Sequence, residues 1–149
     1  MNFKPDTPWN PEATPTFWIN HASRAVMKHF EQRLRPLDFG MAYMPVAIAL
    51  EEHGPLPQKQ LAELAQVEQP TMAALLMRME RDRLIARKAN DADRRSTLFA
   101  LTDKAKDRLP AAKEQLFAIV KEAMEGISDA DQTQLMAILA RVVGNLEKS

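Results

Sequence analysis

The chain has 149 residues, a length that suits one domain with a substantial core. Its twenty basic and twenty acidic residues cancel, which argues against a protein that holds polyanions by bulk charge, and its lack of cysteine excludes disulfides, thiolate metal sites and thiol redox switches. There is no apolar run of about eighteen residues for a membrane helix, and MNFKPDTPWNPEATP lacks the basic start and apolar core of a secretory signal, so a soluble, cytoplasmic protein is expected.

Residues 1–15 carry four prolines and little periodicity, and read as a tail that could lie across a neighbour. From Thr16 a helical pattern begins, with Phe17, Val26, Phe30 and Leu34 recurring near 3.6 residues per turn until Pro36 stops it. A second helix is expected over Met41–His53, burying Val46, Ala47, Ile48, Ala49 and Leu50 and ending at Gly54. Pro45 requires that this helix start there or begin irregularly. Gln58–Ala65 reads as a short helix with Leu61, Leu64 and Ala65 inward. After the brief connection QVEQ, Pro70 opens a further helix, a position proline favours. Along it Met72, Leu75, Leu76 and Met79 form an inward stripe at i, i+3, i+4 and i+7. Thr71, Ala73, Ala74, Met77 and Arg78 face the other way. Two short helices joined by a tight turn, the second small and polar outside, make a helix-turn-helix arrangement.

The period then changes to two. Leu84–Lys88 and Leu98–Leu101 flank NDADRRST as a hairpin. Arg83 precedes it without the conformational freedom of glycine, so the turn is expected to form without a positive φ. Thr102 caps a long helix reaching about Gly126, with Pro110 placed to bend it early. Ser128, three residues before Asp131, opens the last helix in an acidic variant of the capping box. Its apolar positions are Leu135, Ile138, Leu139, Val142, Val143 and Leu146. The expected order is α-α-α-α-β-β-α-α.

The charge is partitioned along this order. Residues 78–95 hold seven Lys/Arg against four Asp/Glu, while residues 103–149 hold seven against eight. The basic part includes the hairpin tip, where Arg94 and Arg95 are either a solvated turn or a grip on something anionic.

A helix-turn-helix followed directly by a hairpin is a winged helix, and here RMERDRLIARKANDADRRSTLFALT resembles the signature of the multiple-antibiotic-resistance regulator (MarR) family. The resembling features are Arg78-Met79-Glu80, Leu84-Ile85, Asp93-Arg94-Arg95 at the tip and Leu101-Thr102, with QKQLAELAQVEQPTMAALL fitting upstream. The likeness covers about residues 16–147. It implies a mainly α fold with a small β-hairpin wing, the winged helix at 41–102, and dimerisation helices at 16–36 and 103–147 within a single domain over 16–149. It also implies a homodimer on a pseudo-palindromic double-stranded DNA operator, most simply a ligand-responsive repressor. On that reading Gln69, Thr71, Ala73, Ala74 and Arg78 meet the major groove, where small side chains allow close approach and contact with thymine methyls. Arg94 enters the minor groove, with Arg87, Lys88 and Arg95 on the wing and Asp93 pairing with Arg95 to hold the tip. Gln58, Lys59 and Gln60 are expected at phosphates.

Two departures stand out: alanines at 73 and 74, where family members often carry Ser/Thr and a basic residue, and Arg83 in place of the usual glycine. Cysteine-based peroxide sensing, known in part of the family, is not available to this chain. Family members bind small aromatic or lipophilic anions between dimer helices and DNA-binding lobe; the corresponding residues are Trp18, His21, Ala22, Tyr43 and Met44, which equally suit a plain core. No nucleophile–base arrangement stands at motif spacing, so no enzyme is expected. His21, His29 and His53 are too scattered for a metal site, and no cofactor is implied. The alternative from another class is a dimeric winged helix that docks onto a protein, favoured by the neutral charge and the two alanines.

Overall fold

The computed structural model describes residues 4–148; of the expected N-terminal tail, residues 1–3 lie outside them. Six helices and three short strands follow in order: α1 (Pro15–Leu34), α2 (Met44–His53), β1 (Leu56–Pro57), α3 (Gln58–Ala65), α4 (Gln69–Arg81), β2 (Ile85–Ala89), β3 (Thr97–Leu101), α5 (Asp103–Ala123) and α6 (Asp129–Glu147). The sheet is antiparallel in the order β1-β3-β2. The fold is therefore mainly helical with a β-hairpin wing, as expected.

Local chemistry sets most boundaries. Pro11–Ala13 form a 3-10 turn before α1, and Trp18 donates its indole N–H to the Glu12 carbonyl at 2.9 Å. Helical structure thus starts earlier than a loose tail to residue 15 would allow. Pro45 is accommodated by an irregular start, a 3-10 turn at Met41–Tyr43 that leads into α2. Thr102 and Ser128 cap α5 and α6, accepting from the amides of Ala105 (3.2 Å) and Asp131 (3.1 Å).

Three helical segments end with a non-glycine residue in the left-handed region: Asp38 (φ 60°), Gln66 (φ 55°) and Arg83 (φ 61°). At each, the amide after the left-handed residue reaches back five positions, to the carbonyls of Leu34, Ala62 and Met79 at 2.9–3.1 Å. This is the Schellman arrangement that glycine normally completes. The expectation that the Arg83 turn forms without a positive φ is thus overturned. The buried Leu84 behind it, packed with Met79, holds Arg83 in a conformation its Cβ disfavours.

The core joins α1, α2, α3, α4, the sheet and α5. Phe30, Leu34, Met44, Val46, Ala47, Leu61, Met72, Leu76, Met79, Leu84, Phe99 and Leu109 are all buried in it. The inward stripe of α4 is borne out in full. Ile48 is half-buried, and α3 turns differently from expected: Ala62 is buried with Leu61, while Leu64 is 53% exposed. Strand β1 was not expected. Its two residues pair with β3, Leu56 opposite Phe99 and Pro57 opposite Leu98. Proline's missing N–H is tolerated because the strand is an edge. None of the residues of α6 is buried. Among the described residues, no helix is long and apolar enough to cross a membrane.

Candidate nucleic-acid interface

Helices α3 and α4 are joined by Gln66–Glu68, and Gln58 at the start of α3 donates through its side-chain amide to the Gln69 carbonyl at 3.3 Å. This bond fixes the two helix starts relative to each other. It engages Gln58 inside the protein, while Lys59 and Gln60 are exposed beside it. On α4 the face opposite the buried stripe is open. Gln69, Thr71, Ala74, Met77 and Arg78 are exposed and Ala73 is half-buried.

The wing is built on five paired positions from Ile85–Leu101 to Ala89–Thr97. Its tip is two successive Asx turns. The Asn90 side chain accepts from the Ala92 amide at 3.1 Å, and the Asp93 side chain accepts from the Arg95 amide at 3.0 Å. Asp93 therefore joins Arg95 at the tip through the Arg95 backbone amide. Both arginine side chains, Arg94 and Arg95, are left exposed. Arg87 is placed differently. Its Nε lies 3.1 Å from Glu80 Oε1, and its guanidinium sits 5.4 Å from the centre of the Phe99 ring, the residue opposite it in the ladder. Arg87 thus braces the wing against the end of α4, whereas Lys88 is exposed and forms no ion pair among the described residues.

A polar joint ties this unit to the outer helices. The Tyr43 hydroxyl donates to Asp82 Oδ2 at 2.7 Å, just past the end of α4. Lys104 Nζ, on α5, donates to the Asp82 carbonyl at 2.8 Å and pairs with Asp38 at 2.9 Å; Arg108 pairs with Asp38 at 2.6 Å. The hydrogen bond from Tyr43, then that from Arg81, holds the Asp82 carboxyl below its ordinary range. Lys104 and then Arg108 do the same for Asp38. Burial and the bond to Asp82 push the Tyr43 hydroxyl up.

Residues 48–97, from within α2 to the first residue of β3, match the family model described as the MarR family. The likeness to that family is thus carried by the winged helix, about a third of the chain. Solved structures with the same fold include a probable transcriptional regulator from Pseudomonas aeruginosa, at 23% identity and a TM-score of 0.75, covering 89% of this chain and 99% of that one. The repressor CouR bound to a 23-mer DNA duplex matches at 22% identity and a TM-score of 0.74, over 89% and 94% of the two chains. Bordetella bronchiseptica BpsR, whose DNA binding is described as regulated by 6-hydroxynicotinic acid, matches at 18% identity and 0.76, over 92% and 98%.

Within this MarR-like chain the five expected pocket residues do not share one surface. Trp18, His21 and Ala22 are exposed on α1, where the Trp18 and His21 rings cluster with Phe17. Met44 is in the core. Tyr43 lines a hollow of about 380 Å³ with three cations, Arg35, Arg78 and Arg81, and three carboxylates, Glu31, Asp38 and Asp82. Among the described residues no three His, Asp or Glu side chains group to hold a metal ion. Sequence reasoning gave no role to Tyr43–Asp82, Lys104 or Met77. Only Met77 left a signal, an apolar residue out of phase with the buried stripe.

Proposed function

We propose that this protein is a homodimeric, ligand-responsive repressor of the MarR family that binds a pseudo-palindromic double-stranded operator with one winged helix per half-site. The observation that carries the reading is the open pair of surfaces at its two contact points. The outer face of α4 is uncovered, and Arg94 and Arg95 project from a tip held by its own backbone. A bare helix suits the major groove, and arginines on a narrow hairpin suit the minor groove. Gln69, Thr71, Ala73, Ala74 and Arg78 take the groove face, Lys59, Gln60 and Lys88 the phosphates, and Gln58 and Arg87 support them from within.

Two further observations support the finer parts. Apolar side chains of the terminal helices stand exposed, among them Phe117 at 74%, Val120, Met136, Ile138 and Val143; a second copy burying them would account for so large an apolar surface. The hollow beside Tyr43 has the size of a small-ligand site; of its carboxylates Asp38 and Asp82 are paired within the protein, which leaves Arg35 and Arg78 against Glu31, a small surplus of positive charge for an anionic ligand. An anion held there would favour one arrangement of α4 against α1 and so change operator affinity.

The test is a fluorescence titration of the full chain against the DNA flanking its own gene, at two salt concentrations. Arg94→Ala should weaken binding roughly tenfold or more and lessen its salt dependence, with dimer mass and helicity unchanged. Salt-insensitive or absent binding by the native chain would favour the protein-docking alternative and overturn the repressor.

A further inference from the structure

The row of α4 that stands farthest from the core is Pro70, Ala74, Met77 and Arg81, spaced i, i+4, i+7 and i+11, and all four are exposed. Its direction is fixed by the buried stripe. Met72, Leu75, Leu76 and Met79 point inward, so this row points directly away, with Thr71 and Arg78 along one flank. The leading edge of the helix is therefore apolar until Arg81. Pro70, Ala74 and Met77 offer no side-chain hydrogen-bond donor or acceptor of any strength to a base edge. Met77 is the largest of the three and stands highest, with 66% of it open to solvent.

An exposed methionine in the middle of a cationic surface calls for a partner that is anionic outside and apolar at one point. The flanking Arg78, the Arg81 beyond it and the wing arginines fit a phosphate backbone. In the major groove the one apolar feature on any base edge is the C5-methyl of a pyrimidine. Resting on the repressor reading above, we infer that Met77 reads sequence by packing on a pyrimidine methyl in each half-site, with Ala74 leaving room for it. Methionine suits the task, since its unbranched, polarisable chain adapts to a methyl without demanding one rotamer. Specificity in this protein is then set by an apolar contact at the centre of the helix, and the polar residues Thr71 and Arg78 position the helix from its side. The methyl can belong to thymine or to 5-methylcytosine.

The experiment begins with duplexes enriched by the full-length protein from a randomised DNA pool. The recovered site is resynthesised with deoxyuridine in place of thymine, one symmetric pair at a time, and separately with cytosine and 5-methylcytosine at the same positions. At one pair, removal of the methyl should weaken binding about fourfold per half-site, or about fifteenfold for both, the worth of one buried methyl group each. Met77→Ala should bind the thymine and uracil duplexes equally at that pair, while Met77→Leu keeps the discrimination. Neither change touches the core, so melting temperature should hold. Loss confined to the uracil duplexes assigns thymine; a gain from 5-methylcytosine over cytosine assigns the modified base. Equal affinity for every methyl-free duplex, or discrimination that persists in Met77→Ala, overturns the inference while leaving the repressor intact. Failure to enrich any sequence overturns both.

Discussion

Arg83→Gly is expected to make this protein more stable, although it deletes a long charged side chain at the base of the wing. The reason is the backbone. Arg83 holds φ at 61°, a conformation that costs a residue with a Cβ about 1–2 kcal/mol. Glycine adopts it freely but brings a more disordered unfolded chain, which offsets about 0.4–1 kcal/mol. The net gain is about 0.5–1 kcal/mol, or roughly 1–4 °C in melting temperature for a chain of this size. Nothing else need change. The Arg83 carbonyl still accepts from the Thr102 hydroxyl at 2.7 Å, and its amide still reaches Glu80 at 3.0 Å. The arginine side chain is exposed and forms no ion pair among the described residues. Calorimetry at fixed protein concentration measures the shift, and Arg83→Ala is the control. Alanine removes the charge and keeps the Cβ, so it should leave the melting temperature nearly where it was. An equal gain from alanine and glycine would trace the effect to charge repulsion and refute the backbone argument.

Tyr43→Phe removes the donor to Asp82. A hydrogen bond to a charged group contributes about 1.5–3 kcal/mol when dry, but the Asp82 side chain is 30% exposed, so about 1 kcal/mol should be lost in urea titration. An unchanged midpoint would show that water replaces the phenol without loss. The pH dependence has a definite sign. Asp82 and Asp38 are held below their ordinary range, so their stabilising effect is complete above the unfolded carboxylate value near pH 4 and is lost as pH falls through the folded values. Asp38→Asn should flatten that acid limb of a stability–pH curve; an unaltered limb would place its origin elsewhere.

How much of this was legible in the sequence depends on the range of the interaction. The α4 stripe, the caps at Thr102 and Ser128 and the termination at Gly54 are set by neighbours within a turn or two, and periodicity alone reveals them. Strand β1 was not legible because its two residues become a strand only by meeting Leu98 and Phe99, some forty positions away. The orientation of α3 failed for a related reason. Leu64 looks like a core residue, but the face that packs is chosen by α4 and α2, and it includes Ala62 instead. The left-handed Arg83 was misjudged because a preference at one residue was weighed without the burial of Leu84 behind it. The Tyr43–Asp82 and Lys104–Asp38 contacts join three separate stretches, so no local pattern could announce them.

The same distinction bears on which charges of a chain without net charge stay free for a partner. Four of its twenty carboxylates sit at joints between elements: Glu122 with Arg33 across α1 and α5, Glu51 with Lys113 across α2 and α5, Asp38 with Lys104 and Arg108, and Glu80 with Arg87 beneath the wing, while Glu63, Glu68, Asp91 and Asp93 are exposed on the helix-turn-helix and wing. Lys59, Arg78, Lys88, Arg94 and Arg95 have no such partner among the described residues, and all five lie on the helix-turn-helix and wing. Composition sums these charges to zero, but a duplex would meet them separately, since pairs locked at the joints contribute little field a Debye length away. On the proposed reading, neutrality also has a use. It weakens hold on arbitrary DNA, which depends on total charge, and leaves discrimination to the few groups that touch the bases.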